Sequence, residues 1–397
     1  MRRRSSGAVA LGAAALVAAW AFGSSPLVVV GLGFVLAGLA ARLWARNARN
    51  SVELERRLLP GDRVEGSAVV VEVRARHHRR LLGGSITLRQ RLGSSEHVAR
   101  MHGARTVLTF LDLPRGRHEL APTEAVLVDP LGLERVEEQV DARSHVLIRP
   151  RIPALTSVFS TYGSRETGAA RSRFRRPTGF EIHAVREYAP GEPLRAVHWP
   201  STARRGRLMV KELDDAPRDD LAVVLDQDED GVAGPPGRSS FDAAVRAAGA
   251  LTLAHVLWNR RVVLIGTADA LEGVRVRSPG HDWEIALDAL AAVMPVAGAR
   301  VDRALRLPAA AISRAREIVV VTGRPDRAVE PLLELRRGGR SVALVVVASE
   351  TFGGTARGPQ ETAVLRAAAQ GVPVAVISAG VPLETALAGR LNGAVGA

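Results

Sequence analysis

The chain has 397 residues, of which 54 are Lys or Arg and 41 are Asp or Glu, which gives a net charge of +13, and it has no cysteine. An apolar content of 47% suffices for packed cores, so a wholly disordered chain is excluded. The lack of cysteine excludes disulfides, thiolate metal sites and a cysteine nucleophile. At roughly 100–200 residues per domain, the length predicts two or three units. The positive charge favours an anionic partner: nucleic acid, anionic lipid or an acidic protein.

Residues 1–46 are predicted to form a two-helix transmembrane hairpin. Positions 5–41 carry no charge, and a single helix of that length, about 55 Å, is too long for a hydrocarbon core of about 30 Å. The turn sequence Gly23-Ser24-Ser25-Pro26 divides the stretch into two spans. Arginines flank both outer ends, which predicts a multi-pass protein of the cell membrane with cytoplasmic soluble domains. The alternative is a cleaved signal peptide followed by one anchoring span.

Residues 47–150 are predicted to hold a short juxtamembrane helix, Asn47–Arg57, and then an all-β sandwich. Short segments of alternating polar and apolar residues are separated by Gly-rich and Pro-rich turns, a spacing typical of antiparallel sandwiches. The predicted strands are Ser67–Arg74, Ser85–Gln90, Thr106–Leu111, Arg117–Leu120, Ala125–Val128 and Ser144–Ile148.

Residues 221–397 alternate apolar strands with helices and are predicted to form a Rossmann-like α/β domain. Strands that are apolar throughout are typical of parallel sheets covered by helices on both faces. Ser239 and Asp242 predict a capping box at the start of the first helix. The predicted strands are Leu221–Asp226, Val262–Gly266, Gly273–Arg277, Glu317–Thr322, Ser341–Val347 and Val372–Ile377, and the predicted helices are Phe241–Trp258, His281–Met294, Pro325–Arg337 and Gln360–Gln370.

Residues 151–220 are predicted to connect these domains. Between Gly179 and Glu212 the connector combines a Pro-Gly turn, closely spaced Arg and Glu, and a Trp. Arg–carboxylate pairs and aromatic packing can clamp a domain junction or present a partner-binding face, and both interpretations stay open. The chain lacks GxxxxGK[ST], HExxH and GxSxG, so we expect no enzymatic activity. The candidate residues of the connector are Glu181, Arg186, Tyr188, Pro190, Gly191, Glu192, Arg195, Trp199, Ala203, Arg204, Lys211 and Glu212.

The stretch from Gly179 to Glu212 resembles the signature of the bacterial family called domain of unknown function 58. Mild departures are Glu192, where the family usually has Asp, and Val197, where it usually has Ile. The sequence Asp129-Pro130-Leu131-Gly132-Leu133 resembles a second family element. The resemblance implies a von Willebrand factor A-like fold for residues 221–397. It also implies association with MoxR-type AAA+ ATPases, often beside transglutaminase-like membrane proteins.

Three aspartates, Asp226, Asp228 and Asp230, follow the first predicted strand of the α/β domain. Ligands of open α/β sheets bind beyond the carboxyl ends of strands, and carboxylates there suit Mg²⁺ or Ca²⁺. An EF-hand is excluded because its twelfth position is Gly237. The adhesion site that the family resemblance implies has Asp-x-Ser-x-Ser, and aspartates replace both serines here. The alternatives are a degenerate site of a metal-dependent receptor or enzyme, and a solvated acidic loop without a cofactor.

Two basic clusters, Arg74–Arg80 and Arg171–Arg176, remain. Nucleic-acid binding usually interleaves basic with aromatic residues, and aromatics are only 4% of this chain. Anionic lipid headgroups are therefore favoured over nucleic acid as the partner, and solvated loops are the other interpretation. Nucleic acid is not expected as a partner, but binding of nucleic acid through these arginines stays an alternative function. The hairpin, the connector and the lack of catalytic motifs predict a membrane-anchored, non-enzymatic adaptor or scaffold. The family resemblance implies that it works with a MoxR-type AAA+ ATPase in assembly of envelope proteins or complexes.

Overall fold

The computed structural model describes residues 4–77, 83–140, 143–159, 165–167, 182–188, 197–213, 221–268, 273–306, 312, 314–353 and 360–388. Residue contacts divide the chain into two compact units, Met1–Arg149 and Pro150–Ala397. The first unit holds two N-terminal helices and a β-sheet-rich body, and the second contains an α/β region.

Two apolar helices open the chain: α1, Arg4–Phe22, and α2, Ser25–Ser51. Gly23 lies between them with φ of +64°, a conformation that glycine adopts without the steric cost of a Cβ. The helices pack closely, since a Cβ on Gly12 would come within 2.7 Å of the carbonyl oxygen of Gly31. Both helices are long and apolar enough to cross a membrane. The two apolar helices are confirmed, and they indicate membrane association.

The predicted juxtamembrane helix is wrong beyond Ser51. Helix α2 continues to Ser51, and strand β1, Val52–Leu58, follows it directly. The segment Val-Glu-Leu-Glu-Arg-Arg-Leu offers charge pairs at helical spacing, but it also begins with a strand-like alternation. Pairing with an apolar strand decides between the two patterns, because Leu54 becomes buried opposite Ala75.

The β-rich body consists of antiparallel strands in two sheets. One sheet has the order β1–β2–β5, and the other has the order β8–β7–β3–β6–β9, with β4 paired to β3. One buried cluster contains residues of both sheets together with Ala45 and Ala48 of α2. The remaining strands are β2 Val69–His77, β3 Ser85–Leu92, β4 Ser95–Arg100, β5 Arg105–Phe110, β6 Gly116–Leu120, β7 Thr123–Val128, β8 Arg135–Val140 and β9 Ser144–Ile148.

The second unit begins with two short antiparallel ladders. Strand β10, Ser157–Phe159, pairs with β11, Arg165–Thr167. Strand β12, Ile182–Glu187, pairs with β13, Met209–Leu213, and the short helix α3, Trp199–Arg205, lies between them in sequence.

A six-stranded sheet forms the centre of the second unit, in the order β16–β15–β14–β17–β18–β19. Strand β16 is antiparallel to β15, whereas the other neighbours are parallel. The strands are β14 Leu221–Leu225, β15 Val262–Gly266, β16 Val274–Val276, β17 Glu317–Thr322, β18 Ser341–Val347 and β19 Val374–Ile377. The helices are α4 Ser240–Leu257, α5 His281–Ala292, α6 Val301–Arg306, α7 Pro325–Arg337, α8 Gln360–Ala369 and α9 Leu383–Ala388.

Helices cover both faces of this sheet, as predicted for an α/β domain. On β14, Val223 contributes to the core shared with α4, α5 and α9, while its neighbour Val224 contributes to the core shared with α6, α7 and α8. Strand β14 is flanked by β15 on one side and β17 on the other. The order of the strands therefore reverses at β14, and a ligand crevice is expected beyond its carboxyl end.

Candidate functional site

The acidic loop lies at that switch point. Asp226 follows the last residue of β14, and both Asp226 and Asp228 are buried, whereas Glu229 and Asp230 are exposed. The alternative of a solvated loop is therefore wrong for Asp226 and Asp228. A buried carboxylate needs hydrogen bonds or an ionic partner, and the structure provides both.

Asp226 is held by hydrogen bonds to both carboxyl oxygens. The Thr322 hydroxyl at the end of β17 donates to Oδ2 at 2.5 Å, and the Asp228 backbone N–H donates to Oδ1 at 3.1 Å. Burial raises the pKa of Asp226 from 3.8 to about 7, because desolvation outweighs these hydrogen bonds. Asp226 therefore keeps its proton to a higher pH than an ordinary aspartate does.

Arg327, in the first turn of α7, provides the positive charge. Its Nη1 binds Oδ2 of Asp228, and its Nη2 donates to Oδ2 of Asp230 at 2.8 Å. Arg324 adds a second guanidinium 3.8 Å from the Asp230 carboxylate. Hydrogen bonding from Arg324 also holds the pKa of Asp326 below its usual value. The end of β14 is therefore tied to α7 by ion pairs.

A divalent cation, which the von Willebrand resemblance implies, does not fit this arrangement. One carboxylate oxygen of Asp226 already accepts from Thr322, and one oxygen each of Asp228 and Asp230 accepts from Arg327. Within the described part of the chain, no group of three or more acidic or histidine side chains is arranged to hold one metal ion. A cation would have to displace the guanidinium of Arg327, which itself supplies a positive charge at this point.

The crevice beside Asp226 is small. It measures about 10 Å³ and is lined by Asp226, Asp228, Ser240 and Gly323, among others. This volume is about what one water molecule needs. Gly323, which follows β17, packs tightly against the acidic loop, since a Cβ there would lie 2.5 Å from the carbonyl oxygen of Gly231. Among the described residues, the site is thus a small polar crevice at the carboxyl ends of β14 and β17.

Sequence reasoning identified the aspartates but did not predict that Thr322, Arg324 and Arg327 lie beside them. The segment Thr322-Gly323-Arg324-Pro325-Asp326-Arg327 directly follows a predicted strand. Since the carboxyl ends of parallel strands meet at one edge of a sheet, this position could have indicated which arginines lie near Asp226.

The stretch from Gly179 to Glu212, called the connector signature below, lies partly within the described residues. Register pairs Arg186 with Val210, Val185 with Lys211 and Ala184 with Glu212, so the ladder of β12 and β13 joins the two ends of the signature. Trp199, Ala203 and Arg204 lie in α3, and the Tyr188 backbone N–H donates to the Leu208 carbonyl at 2.9 Å. Glu181, Pro190, Gly191, Glu192 and Arg195 lie outside the described residues.

Helix α3 is fixed locally by its own cap and by β13. Ser201 donates its backbone N–H to Nδ1 of His198 at 3.3 Å, and the two side chains are 2.8 Å apart. The Met209 backbone N–H donates to the Thr202 hydroxyl at 3.0 Å. Trp199, at the first position of the helix, is 62% exposed. An aromatic side chain on a fixed helix is therefore presented to solvent.

The β-rich body has a separate polar groove of about 400 Å³. Arg89, Arg91 and Arg143 line it together with Glu119 and Glu124. Arg89 lies 3.6 Å from Glu124, and Arg143 lies 3.5 Å from Glu119. Two of the three arginines thus lie close to a glutamate of the same groove.

The basic clusters fall largely on residues that are not described. Residues 78–82 and 168–181, which contain the last three residues of Arg74–Arg80 and all of Arg171–Arg176, lie outside the described ranges. Arg74 is described, and its Nε lies 2.9 Å from a carboxylate oxygen of the buried Glu72. The prediction of lipid contact by these clusters therefore stays a prediction.

A family model described as "Protein of unknown function DUF58" matches residues 184–351. The match runs from β12 through β18, and it includes most of the connector signature's described part, the aspartate loop and Arg327. It supports the resemblance to the domain of unknown function 58 family. No curated protein matches the chain significantly.

Solved structures with some similarity are Cwp6 from Clostridium difficile and a protein from Bacteroides fragilis that is proposed to be a beta-galactosidase. Each is 10% identical, with TM-scores of 0.16 and 0.14 respectively. The matches cover 74% and 75% of this chain, but only 37% and 38% of the two structures. Similarity at this level carries no conclusion about fold or function.

Proposed function

We propose that the chain is a membrane-anchored, non-enzymatic adaptor that works with a MoxR-type AAA+ ATPase in assembly of envelope proteins or complexes. The observation that carries the proposal is Trp199, a 62% exposed aromatic residue on a capped helix within the connector signature. Exposed aromatic anchors on rigid elements dominate the energy of protein interfaces. The exposed Trp199 favours the partner-binding interpretation of the signature. The family resemblance gives a transglutaminase-like membrane protein as a second candidate partner.

The α/β domain of this adaptor is von Willebrand factor A-like in our proposal. The order β16–β15–β14–β17–β18–β19 corresponds to the order 3-2-1-4-5-6 of doubly wound sheets. Arg327 pairs with Asp228 and Asp230 and so supplies positive charge to the aspartates without a bound cation. These features support a binding domain in which an arginine of the chain itself stabilises the aspartates of the crevice.

Helices α1 and α2 anchor the adaptor as a two-span hairpin with both ends in the cytoplasm. Arg2, Arg3 and Arg4 precede the apolar part of α1, Arg42, Arg46 and Arg49 follow the apolar part of α2, and the turn at Gly23 carries no charge. Arginines accumulate on the cytoplasmic side of membrane spans, which supports this topology.

The test is co-purification of the detergent-solubilised full chain with a MoxR-type ATPase, with and without ATP. We expect retention of the ATPase, and we expect Trp199→Ala to reduce it at least tenfold, the loss typical of an interface hot spot. Leu257→Ala is the matched control, because Leu257 is a 54% exposed apolar residue elsewhere in the same unit. No retention in either nucleotide state contradicts the adaptor function, and equal loss in both variants contradicts the role of Trp199.

A further inference from the structure

The loop between β7 and β8 is attached to the first turn of α1. The Ser5 backbone N–H donates to the Leu133 carbonyl at 3.1 Å, and the Ser5 hydroxyl donates to the Glu134 carboxylate. Ser5 is fully buried by this contact. The loop, Asp129–Glu134, therefore lies at the same level as the start of α1.

That level is the surface of the hydrocarbon core if α1 crosses a membrane. Helix α1 has 19 residues, which makes it about 28 Å long, close to the core thickness of about 30 Å. Both of its ends must then lie at the boundary with the headgroups. Arg42 donates to the Ser6 hydroxyl at 2.9 Å, so a positive charge lies at the same level, as is typical of the headgroup region.

The loop holds an apolar side chain outward in a fixed conformation. The Asp129 carboxylate accepts from the Leu131 N–H at 3.0 Å and from the Glu134 N–H at 2.6 Å. Gly132, with φ of +70°, completes the turn. Leu131 is nevertheless 61% exposed, and Pro130 is exposed beside it. A loop backbone that holds a leucine side chain exposed in this way is suited to placing that side chain in an apolar medium.

We propose that Pro130 and Leu131 insert into the interfacial layer of the phospholipid bilayer, as a second membrane contact beside the hairpin. This inference rests on the proposed hairpin anchor. The contact fixes the distance between the β-rich body and the membrane, because the loop is joined to α1 on one side and to β7 and β8 on the other. Transfer of an exposed leucine side chain from water into an apolar environment is favourable.

Leu111 provides a matched control at the opposite end of the body. Strand β1 leaves α2 at Val52 and has seven residues, so it extends about 20 Å away from the helix. Leu58, at its far end, pairs with Val71, and Phe110 pairs with Val69 two residues further on. Leu111 directly follows Phe110 and is 63% exposed. It is thus as exposed as Leu131 but far from the membrane end.

The experiment uses the full chain in nanodiscs with single cysteines, which the absence of natural cysteine makes straightforward. Leu131→Cys, Leu111→Cys and Phe34→Cys are each labelled with an environment-sensitive fluorophore, and spin-labelled lipids serve as quenchers. Phe34, 40% exposed within α2, reports on the span itself. We expect strong quenching at 34 by deep quenchers and at 131 by shallow quenchers, with at least threefold less quenching at 111.

Two outcomes overturn the inference, and they are distinguishable. Quenching at 34 with no more at 131 than at 111 leaves the anchor intact and removes the loop contact. Lack of quenching at 34 removes the hairpin anchor and, with it, the inference that depends on it.

Discussion

The Thr322 hydroxyl donates a 2.5 Å hydrogen bond to the Asp226 carboxyl group, which joins the carboxyl ends of β17 and β14. Both residues are buried, at 0% and 6% exposure. The same Thr322 oxygen accepts from the Arg324 N–H at 2.7 Å. One threonine thus connects the acidic loop to the start of α7, at the point where the strand order of the sheet reverses.

We expect stability to depend on pH through Asp226. Its pKa is raised to about 7 in the folded chain, whereas an unfolded aspartate titrates near 3.9. The folded state therefore retains the proton between about pH 4 and pH 7, and the stabilisation present below pH 4 is lost as pH rises through 7. This loss is about 4 kcal/mol. Asp226→Asn, which cannot ionise, removes it.

The measurement is the free energy of unfolding of the detergent-solubilised chain from about pH 2 to about pH 8, compared between wild type and Asp226→Asn. Asp326→Asn is a control at a group whose contribution to stability changes with pH in the opposite direction, because hydrogen bonding from Arg324 lowers the pKa of Asp326. Its contribution is present above about pH 4 and is lost as pH falls below that value. Parallel pH profiles for wild type and Asp226→Asn would show that Asp226 titrates normally.

Local patterns in the sequence predicted much of the α/β region. The strand Val262–Gly266 has the predicted bounds, and the Ser239–Asp242 capping box is present at α4. Apolar runs and caps depend on neighbouring residues, so the sequence shows them directly. Strand β1 was missed because only its pairing with β2 separates it from a charged helix.

Contacts between distant residues could not be predicted in the same way. Thr322 lies 96 positions from Asp226, and Arg327 lies 99 positions from Asp228. Such pairs become neighbours only through the order of the strands, which the apolar pattern of each strand does not specify. The sequence therefore indicated an acidic loop but not the cation that neutralises it.

Arg327→Ala is expected to destabilise the α/β region strongly. The Asp228 side chain is only 2% exposed, and removal of its partner leaves a buried charge uncompensated, which costs about 3–5 kcal/mol. The free energy of unfolding measures this loss. Arg337→Ala is the matched control on the same helix: its side chain is 68% exposed, and it lies 3.9 Å from Glu330. The control should cost about 1 kcal/mol or less.

A double variant separates charge from packing. In an Asp228→Asn background the buried charge is absent, so Arg327→Ala should cost clearly less than it does in the wild type. An undiminished cost in that background would mean that the guanidinium acts through packing, and the ion pair would lose its assigned role.

Divalent cations are expected not to bind at the acidic loop. Arg327 already pairs with Asp228 and Asp230, and Asp226 accepts from Thr322. Calorimetric titration of the full chain with Mg²⁺, Ca²⁺ and Mn²⁺ should therefore give no saturable heat, and Asp226→Ala should give the same trace. Saturable binding that Asp226→Ala abolishes would restore the hypothesis of a metal-dependent receptor or enzyme.

Two neighbouring glycines of α2 are expected to tolerate substitution differently. A Cβ on Gly31 would lie 2.8 Å from Leu16 Cγ and 2.9 Å from the Gly12 carbonyl oxygen, whereas a Cβ on Gly33 would meet nothing within 4 Å. Gly31→Val should separate α1 from α2 and cost about 1–3 kcal/mol, the usual cost of overpacking. Thermal unfolding of the full chain in detergent measures the change.

Gly33→Val is the control for this pair, since it adds the same side chain to the same helix two residues away. Valine keeps the span apolar, so neither variant should weaken membrane insertion, and both should be recovered in the membrane fraction. Close packing of small residues holds membrane helices together, and of these two glycines Gly31 takes part in it whereas Gly33 does not. An equal fall in unfolding temperature for both variants would refute the packing of α1 against α2 through Gly31.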